Sequence, residues 1–445
     1  MRLLKERFIV VSLIAFVAWA ILSLFILEAM PGRIGGKNEA PKKIVKVLMR
    51  TGVELEAMRQ TIEPFEQETG IHVELIELDR DSYFTLISTQ LFAGTDDFDL
   101  VFMPSTYVPQ FAKVKAIVPL DPFMNDRTLT NPVLFDADDF LFTFKADEHI
   151  YALPTDISTH FLYYRSDLIP QPPETWDELL DAARKWTRAN SPDSPTKWGL
   201  GMTGLAPEEL PKIFNTVLWS LGGDILDEKN EVQLDSQQSI QAAEYYSRFV
   251  REGLADPDLL SMGFAETRDA LIRGDVAMAA PFWNAAYPTI YNGRSPYKHS
   301  IKVALVPGVR NPDGMISRKT FQHGWGLAMN ANSSAQKEAW AFLMYATGKR
   351  GGAIYARAGG TPARTSILSD PLLHHIRPEF PLVLESLKLA KEEPAVTFYP
   401  LIVRIQNEAL TQLLTLHASP ADAMREAAEK VREIERKDSG LNLSE

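Results

Sequence analysis

The sequence contains no cysteine among its 445 residues. This absence excludes a catalytic thiol, a thiolate metal site, any disulfide and lipid attachment to an N-terminal cysteine. A fold that needs no disulfide is compatible with an oxidising compartment. Histidine is also scarce: the eight histidines are scattered, and only His374 and His375 are adjacent. Because no HExxH motif and no paired histidine spacing occurs, we expect no metal site and no cofactor.

Positive charge is the second shortage. The sequence has 46 lysine and arginine residues against 58 aspartate and glutamate residues, which gives a net charge of −12. An acidic chain lacks the excess of positive charge that binding to nucleic acid or to an anionic membrane surface needs. The sequence also lacks a GxSxG nucleophile motif and a P-loop, and no pair of carboxylates is identifiable as general acid and base. These absences favour a binding protein over an enzyme.

The N-terminus holds one long hydrophobic run. Arg2, Lys5 and Arg7 precede a hydrophobic run of 20 residues, from Phe8 to Leu27, and this length is close to what a helix needs to cross a bilayer. We therefore interpret residues 1–43 as a signal or anchor helix followed by a linker, and we expect a periplasmic or otherwise extracytoplasmic protein. The length favours an uncleaved membrane anchor, and a cleaved signal peptide is the alternative.

The chain that follows has the pattern of a parallel βαβ fold. A strand at residues 44–49, an amphipathic helix and a strand at residues 73–76 occur in that order. Ligands of such sheets bind beyond the carboxyl ends of the strands, where Arg50 and Thr51 stand. Ser105 and Thr106 follow the next strand in the same way. For Ser105 and Thr106, N-capping of a helix is the alternative interpretation.

The stretch from Tyr151 to Thr187 carries the clearest likeness to a known family. It combines LPTDISTHFLYYRSDL, a proline pair and TWDELLDAARKWT, in which Thr175 and Glu178 form a capping box. This pattern resembles the extracellular solute-binding proteins of ABC importers, in particular the sugar-binding group that includes maltose- and glycerol-phosphate-binding proteins. In that family the strand crosses between two lobes, so the resemblance places Asp156 and Ser158 beside the ligand. Capping of the next turn is the alternative for Asp156.

Further segments resemble the same family in the same order. GDVAMAAPFW ends at Trp283, an aromatic residue that the family stacks on a sugar ring. HGWGLAMNANSSAQ, with Gly324 and Trp325, resembles the return crossing, and the turn that contains Gly360 resembles the family's closing turn. Arg404 lies in YPLIVRIQNEAL, where glycerol-phosphate-binding relatives place a ligand arginine. A solvated position on a helix is the alternative for Arg404.

One glycine pattern matches the motif of a dinucleotide-binding site. Gly199, Gly201 and Gly204 fit GxGxxG, but residues 191–197 before them are polar and interrupted by proline. A dinucleotide site needs a hydrophobic strand immediately before the first glycine. We therefore expect no nucleotide here, and the resemblance implies a glycine-rich strand that leads into the next helix.

The resemblance, from about Ile44 to about Arg436, implies an α/β fold of the two-lobed periplasmic-binding-protein type II, preceded by the N-terminal hydrophobic helix. The implied first lobe comprises residues 44–157 and 316–368. The implied second lobe comprises residues 158–315 and 369–445, with the C-terminal helices.

The implied function is capture of a sugar or oligosaccharide between two hinged lobes and its delivery to an ABC permease, by a monomer. The alternatives are a receptor for glycerol phosphate or a related polyol, a membrane-anchored sensor and an exported carbohydrate-active enzyme. The predicted ligand-binding residues come from all of these segments: Arg50, Thr51, Ser105, Thr106, Asp156, Ser158, Trp283, Gly324, Trp325, Gly360 and Arg404.

Overall fold

The computed structural model describes residues 43–205 and 209–442. The predicted N-terminal hydrophobic helix therefore lies outside the described residues. Within the described ranges, no helix combines the length and the apolar character that crossing a membrane would need.

Twelve strands are described. They are β1 Ile44–Arg50, β2 His72–Leu78, β3 Leu100–Pro104, β4 Phe144–Ala146, β5 His149–Arg165, β6 Trp198–Gly201, β7 Val276–Trp283, β8 Ile301–Leu305, β9 Val309–Arg310, β10 Ile316–Ser317, β11 Thr320–Met329 and β12 Ala390–Glu392.

The α-helices of the described residues lie between these strands and after them. They are α1 Val53–Thr69, α2 Arg80–Ala93, α3 Val108–Lys113, α4 Asp121–Asn125, α5 Pro132–Phe135, α6 Trp176–Lys185, α7 Glu209–Ser220, α8 Gln237–Arg251, α9 Phe264–Arg273, α10 Tyr287–Asn292, α11 Gln336–Thr347, α12 Lys349–Arg357, α13 Thr365–Leu368, α14 Pro371–His374, α15 Phe380–Leu387, α16 Tyr399–Leu414 and α17 Pro420–Asn442.

The first βαβ unit forms as the sequence predicts. β1 and β2 pair in parallel from Ile44 opposite His72 onward, and α1 lies between them in the chain. The sequence also predicts that Pro64 bends α1 or ends it early. The early end is wrong, because α1 continues to Thr69 and ends at Gly70, whose φ of 70° is left-handed. The last turns are held by packing, since the ring of Phe65 lies 5.1 Å from that of Phe342.

The main sheet is organised around β5. Its strand order is β2-β1-β3-β11-β5-β7-β6, with β12 beside β11 and with β4 and β8 beside β5. The 17 residues of β5 pair with β11 in the first part of the strand and with β7 and β8 in the second part. One strand therefore belongs to both halves of the sheet, and β11 is its antiparallel partner at the point of passage.

Three hydrophobic cores pack around this sheet, and each draws on separate parts of the chain. The first core contains buried residues within 45–153 and 325–355. The second contains residues within 162–283, Phe321 and residues within 399–431. The third joins residues within 157–163 and 262–301 to residues within 356–383. The lobe boundaries given above stay a prediction.

Helix α6 begins at the predicted capping box. Thr175 Oγ1 accepts from the Glu178 backbone N–H at 3.2 Å, and a Glu178 carboxylate oxygen accepts from the Thr175 N–H at 3.3 Å. The predicted glycine-rich strand is β6, which packs directly on this helix. A Cβ atom on Gly199 would lie 2.1 Å from the Ala183 carbonyl oxygen. Close packing of helix and strand therefore explains this glycine.

Candidate functional site

Six buried side chains share one face of the paired strands β5 and β11. Trp325 is opposite Asp156 and His323 is opposite Ser158 in the antiparallel register. Because side chains alternate between faces along a strand and cross-strand partners share a face, every second residue joins this group. We call it the central row; all its members are at most 8% exposed, and they are Asp156, Ser158, His160, Phe321, His323 and Trp325.

Aromatic rings run along the central row and extend it at both ends. The ring centroid of Trp283, at the end of β7, lies 4.2 Å from that of His160 and 5.5 Å from that of Phe321. At the other end, the guanidinium carbon of Arg50 lies 3.9 Å above the ring of Trp325. Arg50, Trp283 and Trp325, predicted from separate segments, are therefore connected through one set of rings.

Asp156 is bonded to a distant segment. One of its carboxylate oxygens accepts from the backbone N–H of Thr361 at 2.8 Å and from the hydroxyl of Tyr355 at 3.0 Å. The alternative interpretation, a cap of the next turn, is not what the structure shows. Burial, followed by repulsion from Glu54, raises the pKa of Asp156 to about 8.

Arg50 is already engaged with an acidic residue. Its guanidinium donates to Glu54 at 3.0 Å, and both side chains are buried. The Nε atom of Arg50 is buried without a hydrogen-bond partner among the described residues. Thr51, the next residue, is exposed. Arg50 therefore contacts the central row as part of a buried ion pair with Glu54, while Thr51 lies on the surface next to it.

Two histidines complete the site, and the sequence predictions missed both. His323 Nδ1 lies 3.2 Å from a carboxylate oxygen of Glu393, and His160 Nδ1 lies 2.8 Å from Thr216 Oγ1. Burial and the nearby ammonium of Lys212 lower the pKa of both rings, that of His323 to about 4. Both imidazoles are therefore neutral at pH 7. The sequence signal that could have identified them is their alternation with Asp156 and Trp325 along the two strands.

Two of the predicted glycines make room for aromatic rings. A Cβ atom on Gly324 would lie 2.5 Å from Phe144, and one on Gly360 would lie 1.9 Å from the ring of Tyr355. Gly324 points to the sheet face opposite the central row, because it alternates with His323 and Trp325. Packing inside the protein accounts for both glycines.

Two further predicted residues, Thr106 and Arg404, line a small cavity of about 150 Å³. Thr106 lines it together with Tyr107, Lys212, Glu393 and Tyr399. Ser105 and Thr106 begin a short 3₁₀ turn after β3 and make no side-chain cap, so the capping alternative is not observed. Arg404 is exposed on α16, lines the same cavity, and has no charged partner among the described residues.

A larger cleft of about 770 Å³ lies beside residues 355–361, the segment whose Tyr355 and Thr361 donate hydrogen bonds to Asp156. It is lined by Gly52 and Val53 at the start of α1, by α10 and by residues 357–359 and 375–377. Arg377, buried in its wall, donates to the Ala356 carbonyl at 2.7 Å and to the Thr361 hydroxyl at 3.4 Å. The segment that bonds Asp156 is thereby fixed at the edge of the cleft. Within the described residues, no group of histidine and acidic side chains is suited to hold a metal ion.

Comparison with known proteins finds one matching family for the chain. The sequence model of the bacterial extracellular solute-binding proteins matches residues 51–353. A Brucella abortus protein named as a binding protein is 25% identical over 313 residues, which cover 69% of this chain and 71% of the relative. An erythritol/L-threitol-binding protein of Mycolicibacterium smegmatis is 22% identical over 396 residues, or 78% of this chain and 79% of the relative.

Solved structures share the fold. Maltose-bound MalE3 of T. maritima aligns with a TM-score of 0.78 and 24% identity, covering 88% of this chain and 99% of that one. A ribitol complex of an ABC transporter solute-binding protein from Agrobacterium radiobacter K84 aligns with the same score and 21% identity, covering 88% and 98%. The predicted two-lobed α/β fold is therefore confirmed.

Proposed function

Because the chain belongs to the bacterial extracellular solute-binding protein family, we propose that it captures an uncharged sugar or polyol between two hinged lobes and delivers it to an ABC permease. Membership of this family confirms the prediction that the chain is not an enzyme. Closure of two lobes around a ligand is a hinge motion, and β5 and β11 are the strands that supply the hinge in this proposal.

The central row is the observation that carries the proposal. Ring faces suit the apolar C–H side of a sugar, while polar side chains between them suit its hydroxyl groups. The row alternates in this way, with Trp283 and Trp325 near its ends and Asp156, His160 and His323 among the rings. Buried polar atoms normally have hydrogen-bond partners, and a bound solute supplies partners for those of the row that lack one.

The charges around the row favour an uncharged solute. Arg50 is paired with Glu54 at 3.0 Å, and Lys212 is close enough to Glu393 to lower its pKa. A phosphate group would therefore enter a site whose buried cations are already neutralised by acids. The exposed guanidinium of Arg404 at the small cavity supports the alternative, a glycerol phosphate or related polyol phosphate.

The relatives support the same class of solute. One curated relative is named as an erythritol/L-threitol-binding protein, and similar structures hold maltose, ribitol and D-mannitol. These solutes carry no charge and many hydroxyl groups. We propose the same chemistry for this chain, with an oligosaccharide, a monosaccharide and a linear polyol as the cases to separate by experiment.

A thermal-shift screen of the purified full chain tests the function. The probes are maltose, ribitol, erythritol and glycerol 3-phosphate; a bound solute at one hundred times its Kd adds about 2.7 kcal/mol to the free energy of unfolding. We expect an uncharged probe to give the shift, and Trp283→Ala and Asp156→Ala to reduce it. Trp186→Ala is the matched control, because Trp186 packs against the second core outside the central row.

Three results would contradict the proposal. A shift that only glycerol 3-phosphate produces supports the phosphate alternative. A shift that Trp283→Ala and Asp156→Ala leave unchanged places the solute elsewhere. Turnover of a glycoside by the purified chain supports the enzyme alternative.

The family supports a proposal for the location and the partners of the chain. We propose an extracytoplasmic protein that acts as a monomer beside its permease, with the hydrophobic run at residues 8–27 as export signal or anchor. Cell fractionation distinguishes the two, because an anchored form stays with the membrane after a high-salt wash and a released form does not. Retention of the anchor supports the alternative role of membrane-anchored sensor.

A further inference from the structure

Two buried histidines of the central row each have one bonded ring nitrogen and one without a partner. His323 Nδ1 contacts Glu393, His160 Nδ1 contacts Thr216, and the two Nε2 atoms have no hydrogen-bond partner within the described residues. Both rings are at most 2% exposed. An unpaired polar atom in such a place costs free energy unless something else bonds it.

The contact with Glu393 decides where the proton of His323 lies. An ionised carboxylate accepts hydrogen bonds and donates none. Burial opposes ionisation of Glu393, but Lys212 and His323 outweigh it and lower its pKa. The Nδ1 atom of His323 must therefore carry the proton, and since the ring is neutral at pH 7, its Nε2 atom presents a lone pair.

The arrangement around Glu393 makes this assignment rigid. One carboxylate oxygen accepts from His323, and the other accepts from the hydroxyl of Tyr399 at 2.7 Å. Glu393 is at most 9% exposed, so water does not compete freely for it. The positive charges of Lys212 and Arg50 both act against protonation of His323. Burial, Lys212 and Arg50 therefore keep the ring neutral against the opposing effect of Glu393, and the contact of Nδ1 with Glu393 selects the Nδ1–H tautomer.

We propose that Glu393 is a positioning residue that holds His323 in its Nδ1–H tautomer, and that His323 Nε2 accepts a hydrogen bond from a hydroxyl group of the bound solute. This inference deepens the proposed function and rests on it. It also defines which group of the solute lies at this position, because a hydroxyl group donates to a bare imidazole nitrogen whereas a phosphate dianion has no proton to donate.

Two other polar side chains of the row are placed to bond a solute. Asp156 has a carboxyl group of which one oxygen already accepts from Thr361 and Tyr355, and His160 Nε2 is a second ring nitrogen without a partner within the described residues. The Nε atom of Arg50, also without a partner there, adds a donor. The site therefore combines donors and acceptors, which suits hydroxyl groups because each of them can both donate and accept.

The tautomer is measured directly on the ligand-free full chain. Imidazole nitrogen chemical shifts of histidine-labelled protein, assigned through His323→Asn, distinguish a protonated Nδ1 from a protonated Nε2. We expect wild type to show only Nδ1–H at pH 7. In Glu393→Gln the charged acceptor is lost, and we expect a measurable fraction of Nε2–H. Glu392→Gln is the matched control, because Glu392 is the exposed neighbour on β12 and contacts Gln322 instead.

Affinity separates the two ring nitrogens of His323. In His323→Asn the side-chain amide still reaches Glu393, but nothing replaces Nε2. We expect its affinity for whichever of ribitol and maltose binds wild type to fall about tenfold, the effect of one buried hydrogen bond. In His323→Gln the longer amide reaches the place of Nε2, and we expect it to retain more affinity than His323→Asn. Melting temperatures without ligand report any loss of folding.

Three outcomes overturn the inference. The first is a wild-type resonance with Nε2–H or a doubly protonated ring at pH 7. The second is an affinity of His323→Asn equal to that of wild type. The third is a tautomer that stays entirely Nδ1–H in Glu393→Gln. If wild type binds none of the probes, the proposed function fails, while the nitrogen spectra still decide the role of Glu393.

Discussion

Asp156 connects the crossing strand to the segment after α12 through a carboxyl group that is costly to ionise. Its pKa of about 8, caused by burial and by Glu54, exceeds the usual value of about 3.9 in an unfolded chain. The folded protein therefore holds this proton more tightly than the unfolded chain does. Between these two values, each rise in pH lowers the stability of the folded state.

We predict that Asp156→Asn removes this component of the pH dependence. The amide oxygen still accepts from Thr361 and Tyr355, but it carries no charge. From pH 5 to pH 8 the variant should gain stability relative to wild type by up to about 1.4 kcal/mol per pH unit. Urea unfolding at several pH values measures the difference.

Asp181→Asn is the control for loss of a carboxylate, because that side chain is 75% exposed on α6. A difference between Asp156→Asn and wild type that stays constant over this pH range would show that Asp156 is ionised in the folded protein.

At this scale the sequence predicted some members of the central row and missed others, Phe321 among them. Asp156, Trp283 and Trp325 stand in segments with a strong family pattern, and the structure connects all three. His160 and His323 were missed because single histidines in apolar strands carry no motif. Their role becomes visible only when β5 and β11 are paired in register and Glu393 comes from 70 residues farther along the chain.

β11 shows how an element constrains the residues on both of its faces. Trp325 belongs to the central row, while Gly326 beside it approaches the other side of the fold. A Cβ atom on Gly326 would lie 2.5 Å from the Leu153 carbonyl oxygen of β5 and 2.6 Å from Phe144. Since the first contact is with backbone, the strand pair has to move to admit a methyl group.

We predict that Gly326→Ala lowers the free energy of unfolding by about 2 kcal/mol, the usual size of an overpacking effect. Gly201→Ala in β6 is the matched control, because its nearest neighbour would be a side-chain atom of Val276 at 3.3 Å. That control should cost less than about 1 kcal/mol. Equal losses in urea unfolding would show that the pairing of β5 with β11 has room for a side chain.

The element boundaries were predictable where local chemistry sets them. The capping box of Thr175 and Glu178 begins α6, and Gly70 ends α1. Of the two effects predicted for Pro64, the early end of α1 is wrong, because tertiary packing of α1 outweighs the local preference of proline; the bend stays a prediction. The full length of β5 was also missed, because residues 155–159 in its middle are mostly polar and are held in the strand by pairing with β11.

The absence of cysteine makes the motion of the whole molecule accessible to labelling. Phe92 on α2 and Asp181 on α6 are exposed and belong to elements of the first and second cores. We predict that spin labels at Phe92→Cys and Asp181→Cys move several ångströms closer when a binding sugar or polyol is added. Pulsed electron paramagnetic resonance measures the distance between the labels.

The control pair is Asp181→Cys with Gln241→Cys, because α6 and α8 both pack into the second core. The distance between these two labels should stay constant. A Phe92 to Asp181 distance that does not respond to a bound solute would contradict the hinged-lobe proposal. The same measurement, repeated with labels across the predicted boundaries near residues 157 and 315, tests the lobe assignment.

Each hydrophobic core combines residues from distant parts of the chain, and this arrangement has a consequence for biogenesis. The first core begins at residue 45 but needs residues up to 355, and the second needs residues up to 431. A nascent chain that has emerged only as far as β8 lacks β11, and with it the central partner of β5. It therefore has no complete core on which to fold, and long-range contacts of this kind also slow folding. We expect such a chain to stay unfolded until nearly all of it is available, which is the condition that the proposed export through a translocation channel would require.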